Sequence, residues 1–276
     1  MPDPLILFDD GAAYEAFMGV WSRIAGDAFL LWLAPPSGAR WVDIGCGNGA
    51  FTALLIERCA PAAVQGIDPS AAQVAFARER LSSPTVAFDI GDATALPYPD
   101  RAFDAAVMAL VIFFVPDPAR AVAEMARAVR PGGSVSAYAW DILGSGFPYA
   151  VMEEELTALG AASIWPPSVE ASRIDAMRGL WIDAGLTNVE THRFSVQRTF
   201  TDFESYWRIS QTGPRIGPRV AALTTGELAT LRERVRRRLA AGPDGRITCG
   251  AWVNAVRGVV ARGQGTRAAD ARLEPG

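Results

Sequence analysis

Lysine is absent from this 276-residue chain, and all 26 basic residues are arginine. That excludes Schiff-base lysines, phosphate-loop lysines and the tyrosine–lysine pairs of some reductases. Histidine occurs once, at His192. One imidazole cannot anchor a histidine-based metal site without help from other groups, so no metal is expected. The cysteines Cys46, Cys59 and Cys249 stand singly, in neither a disulfide framework nor a zinc spacing. No uninterrupted apolar run is long enough to span a bilayer. The short apolar stretch 5–8 is flanked by Asp3, Asp9 and Asp10, with no basic region before it. These features predict a soluble, cytoplasmic protein with no signal peptide and no membrane insertion. A basic footprint is missing too: the formal net charge is −4, so nucleic acid is not an expected partner. The local cluster Arg232, Arg234, Arg236, Arg237 and Arg238 reads as the solvated face of a helix.

What is present is a large apolar content, 50% of residues, arranged with a clear rhythm. Tyr14, Phe17, Met18, Trp21, Ile24 and Ala28 recur at helical spacing within residues 12–33, and Pro35-Pro36-Ser37-Gly38 breaks that helix. Short apolar strands at 41–44, 64–67, 86–90, within 103–114 and at 135–140 then alternate with helices at 50–59, 70–81 and 118–129. Ser70 is placed to cap one helix, and Asp117 another. Asp104 is placed to open a strand. Buried strands separated by helices predict a parallel sheet with right-handed crossovers, an α/β doubly wound fold. Beyond Asp141 the rhythm changes. Residues 143–167 are rich in glycine, proline and aromatics, 174–184 are helical, 189–200 read as a strand pair with a turn, and 202–241 are mostly helical. Residues 263–276 read as a flexible tail.

The segment Trp41-Val-Asp-Ile-Gly-Cys-Gly-Asn-Gly-Ala-Phe-Thr52 carries the densest chemistry. Gly45, Gly47 and Gly49 follow a strand and open a helix. Glycine lets a ligand approach the backbone with no Cβ in the way, and helix N-terminal amides favour anionic groups. Cys46, inside this loop, is expected to act through its backbone amide rather than as a nucleophile. Asp68, in Gly66-Ile67-Asp68-Pro69 after the second strand, can accept hydrogen bonds from ribose hydroxyls. To this point a dinucleotide fits equally well. Gly91-Asp92-Ala93 after the third strand discriminates, because a carboxylate there can take an adenine amino group. Asp43, two residues before Gly45, is unusual for a simple dinucleotide fingerprint.

In this order, the motifs resemble those of the class I S-adenosylmethionine-dependent methyltransferases, and in particular the bacterial group that includes ubiquinone/menaquinone-biosynthesis enzymes. The resemblance runs roughly from Tyr14 to Trp140. It implies a mostly parallel seven-stranded sheet with a helical lid, and S-adenosyl-L-methionine as cofactor. Gly45, Cys46 and Gly47 stand where that family binds the methionine part. Asp68 and Pro69 stand at its ribose position, and Asp92 and Ala93 at its adenine site. Ala109, just before the run 110–117, falls among its downstream landmarks, as does Arg130-Pro131-Gly132-Gly133. Similar proteins close an upstream helix over the cofactor, which nominates Tyr14, Trp21 and Arg23. Aromatic faces can stabilise the sulfonium by ~0.5–2 kcal/mol, and arginine can bind the cofactor carboxylate. Packing of the same aromatic stripe into the core is the competing use.

The implied organisation is an N-terminal helical cofactor lid at 1–36 and an α/β core at 37–200, with an acceptor-side segment at 143–170. A helical acceptor-side lid at 201–262 and the tail complete it. Phe113 and Phe114 stand where many relatives carry histidine or asparagine, which predicts a more apolar acceptor or a different mode of activation. Tyr138 and Trp140, two apart on one strand, should share a face, serving either pocket or core. Phe147, Tyr149, Trp165, Tyr206, Trp207 and Trp252 suit a small, partly apolar acceptor, though some must support the sheet. His192 is expected to be structural. Methyl transfer needs chiefly alignment of acceptor, methyl and sulfur, worth ~7–11 kcal/mol, and no residue is nominated as a base. A nucleic-acid or protein methyltransferase, a nicotinamide-dependent oxidoreductase and a non-catalytic cofactor-binding scaffold remain the alternatives.

Overall fold

The computed structural model describes residues 15–262. Strands β1 (Arg40–Ile44), β2 (Ala63–Asp68), β3 (Val86–Ile90), β4 (Phe103–Ala109), β5 (Val129–Trp140), β6 (Leu186–Phe200) and β7 (Ile247–Val260) form one seven-stranded sheet in the order β3-β2-β1-β4-β5-β7-β6. The first five strands pair in parallel, and β7 is antiparallel to both of its neighbours. The strand order reverses between β1 and β4, and a doubly wound sheet opens its ligand crevice at such a reversal, beyond the carboxyl ends of the strands.

The helices are α1 (Val20–Leu33), α2 (Ala50–Cys59), α3 (Ala71–Arg80), α4 (Pro118–Ala128), α5 (Ala150–Ala158), α6 (Ile174–Asp183), α7 (Phe203–Ser210), α8 (Gly217–Ala221) and α9 (Thr225–Arg238). A π-helical turn at Glu15–Gly19 leads into α1. Ser70 caps α3 by accepting from the Gln73 amide at 3.3 Å, and Asp117 caps α4 by accepting from the Arg120 amide at 3.0 Å. Each cap satisfies an amide that has no partner inside its own helix. Asp104 opens β4 and binds the Arg40 amide at 2.8 Å, which ties the bottom of β4 to that of β1.

α1 is a layer of the core rather than a separate lid. Its Trp21, Ala25, Phe29, Leu30 and Leu33 are all buried. Phe29 lies 4.5 Å from the Tyr138 ring and 6.2 Å from Phe51, centroid to centroid. Gly26 permits this approach, because a Cβ there would come within 2.6 Å of Leu54. Tyr138 and Trp140 do share a face, and both are buried by α1, so that face is packed core.

Two expectations need correction. Residues 189–200 are not a strand pair with a turn but part of one long strand, β6, paired without a break from Glu190 to Phe200; its irregularity lies earlier, a register shift between Thr187 and Glu190 with Asn188 at φ +51°. Residues 247–260 do not belong to the helical lid, because β7 sits between β5 and β6 in the main sheet. The core therefore extends past residue 200, and α7–α9 are an insertion between two antiparallel sheet strands. β5 ends at Trp140, opposite Val253, which pairs with Phe194. Residues 195–200 and 247–252 thus continue beyond β5 as a two-stranded ribbon on the ligand edge.

Candidate functional site

The glycine loop joins β1 to α2, and its three glycines all have left-handed backbones: Gly45 at φ +73°, Gly47 at +51° and Gly49 at +77°. The fold needs them for different reasons. A Cβ on Gly45 would come within 2.5 Å of the Val111 side chain. On Gly49 it would lie 3.2 Å from Ala77 and 3.3 Å from Leu81. On Gly47 the nearest heavy atom would be Gln73 Oε1, at 4.0 Å. Gly45 and Gly49 are therefore pressed against protein, whereas Gly47 faces open space. A ligand can rest on bare backbone there.

Asp68 holds this loop against the next one. One carboxylate oxygen accepts from the Gly47 amide at 3.0 Å, and the other accepts from the Ser70 amide at 2.9 Å. Burial raises its pKa above the ordinary aspartate value, and the two amide hydrogen bonds oppose the rise. Each carboxylate oxygen has two lone-pair sites, so both keep capacity for hydroxyl donors. Asp92, at the end of β3, is exposed. Its Oδ1 accepts from the Thr94 amide at 2.7 Å and the Thr94 hydroxyl at 2.8 Å, which lowers its pKa. Asp68 and Asp92 thus stand at the ends of neighbouring strands, which are tied there by a hydrogen bond from the Gly91 amide to the Asp68 carbonyl at 3.1 Å. Pro69 and the half-buried Ala93 lie in the same two loops, and the half-buried Ala109 closes β4 across the reversal.

Asp43 is the site residue that loop reading undervalued. It is fully buried at the end of β1. Thr52 donates to its Oδ2 at 2.6 Å, while Oδ1 is buried with no hydrogen-bond partner. Desolvation by burial, reinforced by the charge of Asp68 and opposed by the Thr52 bond, pushes its pKa up to about 7. A buried carboxylate with an unsatisfied oxygen beneath a bare backbone surface suits a cationic ligand.

Leu110, the first residue after β4, adopts φ +62°, rare for a branched side chain, and its amide donates to the Tyr138 carbonyl at 2.9 Å. Such strain persists where surrounding structure enforces it, often beside ligands. Here it turns Val111 under Gly45. Phe113, next along, is buried, and Phe114 is partly exposed.

The remaining nominees are not all brought to this place. Cys46 is buried, and its Sγ would lie 3.0 Å from a Cβ on Gly66, packed among Val74, Ala77 and Phe88. Burial first, then the charges of Asp43 and Asp68, pushes its thiol far above the usual range. Its amide donates to the Ile67 carbonyl at 3.1 Å, so both its thiol and its amide serve the fold. Trp21 is fully buried, edge-on to Trp140 and Tyr149 at 6.4 and 6.5 Å. Arg23 departs from its nominated role. It forms an exposed two-pronged pair with Glu57, at 2.8 and 3.1 Å, about two helical turns from the glycine loop. Tyr14 lies outside the described residues.

His192 is exposed and stacks between Trp32 and Phe194 at 5.8 and 5.9 Å. All five arginines of the 232–238 cluster have ion-pair partners, among Glu154, Glu155, Glu204 and Glu233. Among the described residues no helix is long and apolar enough to cross a membrane, and no cluster of histidine, cysteine or carboxylate side chains could hold a metal ion.

The sheet order, with the strand reversal between β1 and β4, is that of the class I methyltransferase fold, and Asp43, Asp68 and Asp92 stand at the carboxyl ends of β1, β2 and β3. Comparison with known proteins agrees over the same segment, and residues 42–137 match the family described as a methyltransferase domain. The chain is 39% identical over 131 residues to a trans-aconitate 2-methyltransferase of Methylobacterium nodulans, an alignment covering 46% of this chain and 48% of that protein. It is 36% identical over 116 residues to a 2-phytyl-1,4-naphtoquinone methyltransferase of Thermosynechococcus vestitus, covering 41% and 50%. The chain thus spans about half the length of these curated relatives. A crystal structure of Haemonchus contortus phosphoethanolamine N-methyltransferase 2 superposes with a TM-score of 0.59 at 20% identity, covering 94% of this chain and 60% of that one. At that identity the likeness establishes the fold.

Proposed function

We propose that the protein binds S-adenosyl-L-methionine and transfers its methyl group to a small, partly apolar molecule. The observation that carries this reading is the setting of Asp43, Asp68 and Asp92 at the carboxyl ends of three adjacent strands, around a loop that bares its backbone at Gly47. The residues fit the cofactor. Gly45, Cys46 and Gly47 offer the close backbone surface for the methionine part, and Asp43 supplies negative charge beneath it. Asp68 and Pro69 take the ribose, while Asp92, Ala93 and Ala109 border the adenine. Trp21 contributes through the aromatic wall it shares with Tyr149, and Arg23 drops out of the set.

The bound cofactor supplies an activated methyl on a sulfonium. The chain's own part is to orient the acceptor and exclude water, and orientation alone can supply ~7–11 kcal/mol. Phe113, Phe114, Phe147 and Trp165 give the acceptor side apolar walls. The relatives named for trans-aconitate and phytyl-naphthoquinone both point to small organic acceptors, and the arginines of α9 are already engaged with glutamates rather than displayed for nucleic acid. Retention of the protein in the cytoplasm is part of the same proposal.

Calorimetry on the purified protein tests this reading. S-adenosylmethionine and S-adenosylhomocysteine are expected to bind, and NAD is not. Asp68→Ala should weaken binding by about 1.5–3 kcal/mol for each charged hydrogen bond lost. Binding of NAD alone, or unchanged affinity in a folded Asp68→Ala variant, refutes it.

A further inference from the structure

A second group of buried charges lies on the acceptor side, and the cofactor site does not use it. Glu153 of α5, Arg219 of α8 and Arg215 just before α8 are each at least nine-tenths buried. Glu153 and Arg219 form a direct ion pair, and Arg219 also reaches the Thr157 hydroxyl and the Ala161 carbonyl, both at 3.3 Å. Arg215 is served far less well. Its Nη2 is 3.4 Å from Glu153 Oε1, its only charged partner among the described residues, and its Nε, like that of Arg219, is buried with no hydrogen-bond partner. Its guanidinium lies 5.5 Å from the Phe147 ring centre and 5.2 Å from that of Trp165.

Charge decides what this group lacks. Two guanidiniums face one carboxylate, which leaves one positive charge in excess within a desolvated cluster. An arginine cannot relieve that by losing its proton at ordinary pH. Burial and the neighbouring Arg219 disfavour the charged form of Arg215, and Glu153 only partly compensates. A complete ion triad would be self-sufficient, but this one has an unmatched charge and a free donor.

Position decides what could supply the match. Trp165 is three residues from Ser168, whose amide donates to the Phe113 carbonyl at 3.1 Å, in the short turn that follows β4. Gly213, two residues before Arg215, has no room for a Cβ because it abuts the Phe17 ring. Phe17 stacks on Tyr149 at 4.4 Å, and Tyr149 meets Trp21, which meets Trp140 at the end of β5. Arg215 is therefore joined by packed rings to the carboxyl ends of both strands, where the acceptor of the proposed reaction would sit. Trp165 remains 46% exposed, so part of this aromatic wall reaches solvent while Arg215 itself is buried.

We propose that Arg215, backed by the Glu153–Arg219 pair and walled by Phe147 and Trp165, binds a carboxylate group of the acceptor. This rests on the methyl-transfer reading and narrows its substrate class to partly apolar organic acids. A monoanion matches the single excess charge, whereas a phosphate dianion overshoots it. Carboxylate geometry also suits the planar donor fork of arginine.

The test uses the full chain saturated with S-adenosylhomocysteine, whose own binding is measured first by calorimetry. If S-adenosylhomocysteine does not bind, the methyl-transfer reading fails, and this proposal fails with it. If it binds, acetate and benzoate are titrated against acetamide and benzamide at constant ionic strength, with inorganic phosphate as a separate arm. The carboxylates are expected to bind wild type better than their amides. Arg215→Leu should lose that preference by roughly ten- to a hundredfold, while S-adenosylhomocysteine affinity is unchanged. Arg215→Leu should also melt no lower than wild type without ligand, because the Glu153–Arg219 pair remains balanced. Equal binding of acids and amides to wild type, retention of the preference in Arg215→Leu, or tighter binding of phosphate than of carboxylates overturns the proposal. A marked fall in melting temperature for Arg215→Leu, with Arg215→Lys restoring stability but no anion preference in either protein, shows a purely structural triad and overturns it as well.

Discussion

Replacing Asp43 by asparagine should make the protein more stable at pH 8 than at pH 5, relative to wild type. The carboxyl is fully buried, one oxygen has a hydrogen bond from Thr52, and the other has none. Burial lifts its pKa from 3.8 to about 7. The sign follows from proton counting. Between pH 4 and 7 the folded protein holds a proton at Asp43 that the unfolded chain has released. Stability is therefore full below about pH 4, falls as pH rises to about 7, and is level above. Each tenfold step in acidity corresponds to ~1.4 kcal/mol, so the cost of this carboxyl at pH 8 is at most about 4 kcal/mol. Asparagine has nearly the same shape and can still accept from Thr52, but it carries no charge to desolvate. Its new amide donors, left without partners, cost about 1–3 kcal/mol at every pH. The pH-independent part cancels in a comparison, so the benefit of Asp43→Asn should rise by roughly 2–3 kcal/mol between pH 5 and pH 8. Urea denaturation of both proteins at the two values measures this. The same difference at both pH values would show that Asp43 titrates as an ordinary surface acid, and the argument from burial would fail. If the cationic cofactor is held over this carboxylate, its affinity for wild type should also climb with pH through 7, and for Asp43→Asn it should not.

Gly47→Val places a branched side chain at φ +51° in otherwise open space. Thermal melts should show a loss of about 1–2 kcal/mol from the left-handed backbone, with the fold kept, while cofactor affinity falls more than roughly tenfold by calorimetry if backbone and ligand are in contact. Arg23→Ala should leave cofactor affinity within about twofold and cost under about 1 kcal/mol in stability, as expected for an exposed ion pair. A tenfold loss of affinity in that variant would return Arg23 to the binding site.

The parts of the fold legible in the sequence are those governed by local rules. Strand-length apolar runs, the Ser70 and Asp117 caps and the glycines at 45, 47 and 49 all carry their physical reason within a few residues. So do Asp68 and Asp92, because an acid just past a parallel strand stands in the crevice whatever the rest of the chain does. Asp43 was noticed in the motif, but its buried, half-satisfied state depends on Thr52 and on the layers that exclude water. The Arg23–Glu57 pair was not legible, because spacing on a helix does not reveal a partner on α2, 34 positions away. Nothing local could show Arg215, since its aromatic neighbours and Glu153 come from a distant segment and its meaning lies in a charge count over three elements.

By itself, then, the sequence determined a doubly wound α/β core, the glycine loop at its first turn and the acids at the ends of β1, β2 and β3. Its lack of lysine and its single histidine ruled out whole classes of chemistry. Tertiary structure alone decided that residues 247–260 return to the sheet between β5 and β6. It also decided that α7–α9 are carried on a ribbon past the end of β5, and that the Trp21 ring and the Cys46 thiol are buried. The physical reason is that periodicity and turn chemistry act between near neighbours. Strand partnership, burial and charge balance are set by contacts between segments far apart in the chain.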